Sequence, residues 1–161
     1  MVQFSNVYLA LGANLGNTRE TFFKGIADIQ SRVGDIRALS SFHETSPLNH
    51  PDTPTLLQPN YLNAVLICSS SLAAEKILEI VQTIERQNGR NRAAETRWGP
   101  RTLDIDIIAV DNAVVNTQAL SLPHPEMHKR SFVLAPMLEI APEWEHPLLR
   151  KRVAALLSDL A

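Results

Sequence analysis

Residues 97–112 read RWGPRTLDIDIIAVDN, and the run from Leu103 to Val110 inside this stretch decides the fold. Successive side chains of a strand point to opposite faces, so Leu103, Ile105 and Ile107 take one face while Asp104 and Asp106 share the other. An unpaired charge turned into an apolar core is costly, so the aspartates must meet either water or something positive. A strand that is apolar on one side and polar on the other belongs in an antiparallel sheet with one face on a core.

Upstream, the apolar run Val7 to Leu11 ends at Gly12, and GANLGNTRE (12–20) supplies a turn and then a helix start, with Asn17 three residues before Glu20. Phe22, Ile26, Ile29 and Val33 continue at helical spacing. Two strand-like runs follow, about 36–46 and 61–69. The segment between them, PLNHPDTPTLLQPN (47–60), carries four prolines and rules out a tight hairpin. Ser71 is placed to cap a second helix with Ile77, Val81, Ile84 and Asn88 on one stripe, Leu78 and Ile80 beside it, and Gly89 as its stop. The order is β-α-β-β-α-β, which predicts a ferredoxin-like α+β fold. It has an antiparallel sheet, helices on one face, and a C-terminal extension of short strands and helices ending in a packing helix over Leu148–Leu160.

With 161 residues and 45% hydrophobic composition, the chain is expected to form one domain spanning 1–161. Its net charge of −2 hides an asymmetry: residues 86–101 carry +4, with Arg86, Arg90, Arg92, Arg97 and Arg101 against Glu95, and the remainder carries −6. A basic surplus so local suits a small anionic ligand better than a long polyanion. The lone Cys68 excludes an intrachain disulfide and reads as a core residue in a reducing compartment. Without a basic leader or a long apolar run, the chain reads as cytoplasmic, with no membrane partner.

Asp104 and Asp106 should lie roughly 6.5 to 7 Å apart along their strand, so both carboxylates can converge on one hard cation or on two adjacent ones. Mg²⁺ is the natural candidate, because it accepts few carboxylates and fills its shell with phosphate oxygens and water. An isolated D-x-D also fits a solvent-facing strand. The adjoining GRNRAAETRWGPR (89–101) tips the balance: four arginines stand within twelve residues, and guanidinium groups clamp phosphate oxygens bidentately. The competing reading is a solvated basic loop paired with Glu85 and Glu95. Trp98 either stacks on a base or anchors the loop. In NYLNAVLI (60–67), Tyr61 and Asn63 share one face and Leu62, Ala64 and Leu66 the other, an arrangement that suits either a flat heterocycle or an exposed strand end. His124 and His128 stand four apart, but Pro123 and Pro125 break the helix a zinc pair would need, and His124 reads instead as a donor to phosphate.

Taken in order, ALGANLG (10–16), SFHETSPL (41–48), YLNAV (61–65), IERQNGRNR (84–92), RWGPRTLDIDI (97–107) and LPHPEMHKRSFVLAPMLEIAP (122–142) resemble the 6-hydroxymethyl-7,8-dihydropterin pyrophosphokinase family of folate biosynthesis. The resemblance covers essentially the whole chain. It implies a Mg²⁺-dependent enzyme that moves the β,γ-diphosphate of ATP to the hydroxymethyl group of the pterin and releases AMP; separately, a monomer is expected. It implies that Asp104 and Asp106 hold two Mg²⁺ ions, with Asp104 also at the pterin, and that Arg90, Arg92 and Arg101 contact phosphates. It further implies that Asn63 reads the pterin edge, Tyr61 and Phe132 sandwich the ring, and the chain around Thr45 and Leu48 completes the pocket. Glu85, Trp98, Ile107, His124 and Arg130 match ATP-contacting positions. Three features depart from the family pattern: Ala13 replaces the serine of the glycine turn, Pro125 follows His124, and the loop from Leu48 to Tyr61 is longer than in the shortest members. Two rival readings are a nucleic-acid-binding module, since the RNA-recognition fold shares the element order but its aromatic signature is absent, and an interaction module that has lost activity.

Overall fold

The computed structural model describes residues 1–47, 58–90 and 102–161. Strand β1 (Ser5–Ala13) is central, with β4 (Tyr61–Ser70) and β5 (Asp104–Val110) antiparallel on either side of it. Strands β2 (Asp35–Leu39) and β3 (His43–Thr45) both pair with the far edge of β4, giving the order β2-β4-β1-β5 with β3 alongside.

The expected alternation holds on all three long strands. Val7, Leu9 and Leu11 of β1, Leu62, Ala64, Leu66 and Cys68 of β4, and Ile105 and Ile107 of β5 bury one face against helices α1 (Thr18–Arg32) and α2 (Ala74–Gln87). Those helices contribute Phe22 and Ile29, and Ile77, Val81 and Ile84, all fully buried. Asn17 caps α1 as predicted, its side chain accepting from the Glu20 N–H at 3.1 Å. Gly89 ends α2 with φ of +87°, a conformation only glycine adopts freely. At the α1–β2 turn a Cβ on Gly34 would sit 2.1 Å from the Ser69 carbonyl oxygen, so only hydrogen fits.

Several expectations are corrected. The second run is two strands, because at Ser40 the side chain takes over the ladder: its hydroxyl accepts from the Val65 N–H at 3.0 Å, while its own N–H donates to the Val65 carbonyl at 2.9 Å. Ser71 does not cap α2. Ala73 holds that position without a side-chain bond, and Asn88 lies past the helix, its amide donating to the Ile84 carbonyl at 2.8 Å. The tail helix α4 is shorter than expected, at Val153–Ser158.

The helices are also not confined to one face. A 3₁₀ turn (Met127–Lys129) leads into α3 (Ser131–Ile140), and α3 and α4 cover the second face, where Tyr8, Val65 and Ile108 pack against Val133, Leu134, Met137, Val153 and Leu156. A register shift between Tyr8 and Leu9 leaves Ile108 as the extra residue of β5, and this bulge keeps Ala109 on the second face beside Ile108 and returns Val110 to the first. The short hairpin of β6 (Val115–Asn116) and β7 (Ser121–Leu122) forms a separate two-stranded sheet beside β5.

Candidate active site

Only part of the second face is filled by α3 and α4. Across the sheet, Asn63, Gly12 and Asp104 stand in one register row, and Val65, Ala10 and Asp106 in the next but one. Because Ala10 and Gly12 carry almost no side chain, the middle strand becomes the floor of a cavity of about 170 Å³. Its walls are Tyr61 and Asn63 of β4, Thr45 of β3, Asp104 and Asp106 of β5, and Phe132, which follows Arg130 at the start of α3. The Asn63 amide donates to the Thr45 hydroxyl at 2.6 Å, which fixes the amide's orientation at the wall. Arg130 lies over the Phe132 ring, 5.8 Å from its centroid, and its Nη1 is 3.6 Å from Asp106.

A second cavity, about 260 Å³, opens on the other side of Asp106, between α2 and the β7 edge. Leu78 and Gln82 line it from the helix, Ile107 from β5, and Ser121 and His124 from the edge. Asp106 therefore belongs to both cavities.

The charges around this junction are organised by a buried network. Arg90, immediately after Gly89, folds back so that its guanidinium meets Glu85 at 3.0 Å and also contacts Asp104. Glu85 is fully buried, and its other oxygen accepts from the Ile105 N–H at 2.9 Å. The pairing with Glu85 expected of a solvated loop is thus present at Arg90, but inside the protein. Asp106 has less support: burial first, and then the neighbouring Asp104 charge, raise its carboxyl to about 7, against the opposing pull of Arg130. Burial and Arg130 together hold His124 down at about 4, so its imidazole is neutral at pH 7. Its Nδ1 accepts from the Glu126 N–H at 3.1 Å, which leaves the proton on Nε2, 4.0 Å from Asp106.

Two adjacent carboxylates, one of them carrying a charge its surroundings disfavour, fit a hard divalent cation. Among the described residues no group of three or more His, Cys, Asp or Glu side chains converges on one point. A cation held by Asp104 and Asp106 would complete its shell from phosphate and water, the habit of Mg²⁺.

Of the residues expected at the site, Thr45, Tyr61, Asn63, Asp104, Asp106, Arg130 and Phe132 surround the first cavity, Ile107 and His124 the second, and Glu85 and Arg90 lie behind them. Leu48, Arg92, Trp98 and Arg101 lie outside the described residues. Ala10 and Gly12 are not among the residues expected at the site, although they alternate with Leu9 and Leu11 as the aspartates do with Ile105 and Ile107. GANLG is by sequence only a turn, whereas in the fold the buried Asn14 donates to Gln58 at 2.9 Å and to the Pro59 carbonyl at 3.0 Å, holding the chain that enters β4.

The profile of the 7,8-dihydro-6-hydroxymethylpterin-pyrophosphokinase (HPPK) family matches residues 8–142, a span that contains every residue lining both cavities. The chain belongs to that family. Among its relatives, the 2-amino-4-hydroxy-6-hydroxymethyldihydropteridine pyrophosphokinase of Bacillus subtilis is 39% identical over 140 residues, covering 86% of this chain and 79% of the relative. The enzyme of the same name from Haemophilus influenzae is 38% identical over 135 residues, covering 83% and 80%. The fold agrees with the crystal structure of Plasmodium falciparum HPPK-DHPS with STZ-DHP, at a TM-score of 0.72 and 15% identity over 99% of this chain. This chain spans 42% of that longer protein, and at such identity the likeness concerns the fold alone. Among the described residues no helix is long and apolar enough to cross a membrane.

Proposed function

We propose that this chain transfers diphosphate from ATP to the hydroxymethyl group of 6-hydroxymethyl-7,8-dihydropterin, giving AMP and the pterin diphosphate in folate biosynthesis. The observation that carries the reading at the level of residues is the pair of cavities meeting at Asp106. The first is walled by two aromatic rings and a fixed amide, which suits a flat heterocycle with donors and acceptors on its edge. The second, between α2 and the β7 edge, suits the nucleotide.

In this reading Tyr61 and Phe132 hold the pterin ring, Asn63 pairs with its edge, and the chain at Thr45 and Leu48 closes the pocket. Asp104 and Asp106 hold two Mg²⁺ ions, which when bound supply positive charge to the phosphates. Arg92 and Arg101 bind phosphate oxygens, while Arg90, buried between Glu85 and Asp104, steadies the Asp104 carboxylate. His124 presents its Nε2–H, and Arg130 its guanidinium, to phosphate beside Asp106. Ile107 and Trp98 contact the nucleotide. The hydroxymethyl oxygen attacks the β-phosphorus in line, the bond from that phosphorus to the α,β-bridging oxygen breaks, AMP departs, and the hydroxyl proton is released to water. The protein contributes positioning and charge placement.

The strand order supports a ferredoxin-like description, and the chain acts in this reading as one domain, a cytoplasmic monomer without membrane or nucleic-acid partners. The nucleic-acid rival needs an open sheet face on which bases can stack, whereas α3 and α4 cover much of that face. Turnover with ATP, Mg²⁺ and the hydroxymethyl pterin should produce AMP and pterin diphosphate in equal amounts. ADP as the nucleotide product would overturn the reading.

A further inference from the structure

Glu139 sits seven residues, two helical turns, beyond Phe132 on α3, so both project from one side of that helix. Its carboxylate does not point into the cavity. One oxygen accepts from the Ser41 N–H at 2.9 Å, and the other from the Ser41 hydroxyl at 2.7 Å and from His43 Nε2. These hydrogen bonds, the backbone one first, hold the carboxyl down at about 2. The segment they grip is the entry to β3, the strand that pairs His43 with Asn63 and Thr45 with Tyr61. The same chain therefore runs from Phe132 through Glu139, His43 and Thr45 to Asn63, linking opposite walls of the first cavity.

We propose that Glu139 is a positioning residue for that cavity, fixing the gap between α3 and the edge strand β3 through Ser41 and His43. The inference rests on the reading of this cavity as the pterin site and deepens it. Apart from this clamp, α3 is held on the sheet largely by Val133, Leu134 and Met137. Apolar burial is non-directional and sets an approximate distance, whereas three hydrogen bonds to one carboxylate set a particular one. The distance matters because a flat ring held between two aromatic faces loses about a quarter to a half of each contact when the gap opens by 0.5 to 1 Å.

The test compares two affinities in the full chain at 25 °C: that for the hydroxymethyl pterin, by fluorescence titration, and that for a non-hydrolysable ATP analogue with Mg²⁺, by calorimetry. Glu139→Ala should weaken pterin binding about 10-fold, as expected for a small misplacement of a rigid wall, and leave the nucleotide within about 2-fold. Glu139→Gln, whose amide oxygen still accepts from Ser41, should recover pterin affinity to within about 3-fold of wild type. Should Glu139→Ala fail to fold, Ser41→Ala provides the same comparison with a smaller loss, still selective for the pterin. Unchanged pterin affinity, or equal losses for both ligands, would overturn the proposal. Failure of the wild-type protein to bind the pterin at all would instead overturn the assignment of the cavity, and the proposal with it.

Discussion

The two faces of this sheet are built from the same strands by opposite rules. On the α1–α2 face, each strand contributes large aliphatic side chains, and Phe22, Ile29, Ile77, Val81 and Ile84 pack onto them, with a cavity at the β7 edge. On the other face, the positions one residue along are Ala10, Gly12, Asn63, Asp104 and Asp106, and the helix that covers them leaves a cavity. One residue of offset separates stability from chemistry. A face packed largely with aliphatic side chains can hold the strands rigid, and only then can the other face carry two adjacent carboxylates and a missing layer of side chains.

Breaking the comparison from the packed side should give the largest effect. Ile29→Ala, at a fully buried position, should cost about 2–5 kcal/mol of stability while the folded fraction keeps its kcat. Urea unfolding alongside turnover per folded molecule would check this. From the other side, Asp106→Ala should lower kcat by about 10²–10³-fold, the range for losing one charge-placing group, without unfolding the protein.

A variant at the same position sharpens the contrast through pH. Because the folded protein raises the Asp106 carboxyl to about 7, above its ordinary value near 3.8, the metal-free fold binds that proton more tightly than the unfolded chain. Asp106 therefore costs stability as pH rises through that window, and the cost is fully present above about 7. Asp106→Asn should be more stable than wild type at pH 8 by about 1 kcal/mol, after allowing for the cavity's access to solvent, or about 2–4 °C in Tm. The advantage should vanish below about pH 4. Calorimetric scans in chelator at several pH values would show it. The smallest effect belongs to the cap on the packed side: Asn17→Ala should cost about 1 kcal/mol and leave turnover unchanged, as measured by thermal melts and a steady-state assay.

The sequence was legible where the information is periodic or local. Alternation in LDIDIIAV separates core from site, Asn17 and Glu20 mark a helix start, and Gly89 marks a stop. What escaped depends on partners distant in the chain. The break at Ser40 is sustained by Val65 on the neighbouring strand, and the grip of Glu139 on Ser41 spans 98 residues. Ser71 resembled a cap because local chemistry allows it, yet the helix begins after Ala73. The arginines raise the expectation of phosphate binding, but nothing local says that Arg90 turns inward to meet Glu85 and Asp104. The bulge at Ile108 was equally hidden, since extra residues in a strand become visible only against the partner's register.

The central claim is that one carboxylate pair joins two binding cavities through bound cations. Mg²⁺ titration of the protein in the presence of a non-hydrolysable ATP analogue tests it most directly. The account predicts two ions bound per wild-type molecule and a loss of at least one in Asp106→Asn. Two ions bound with undiminished affinity in that variant would contradict it.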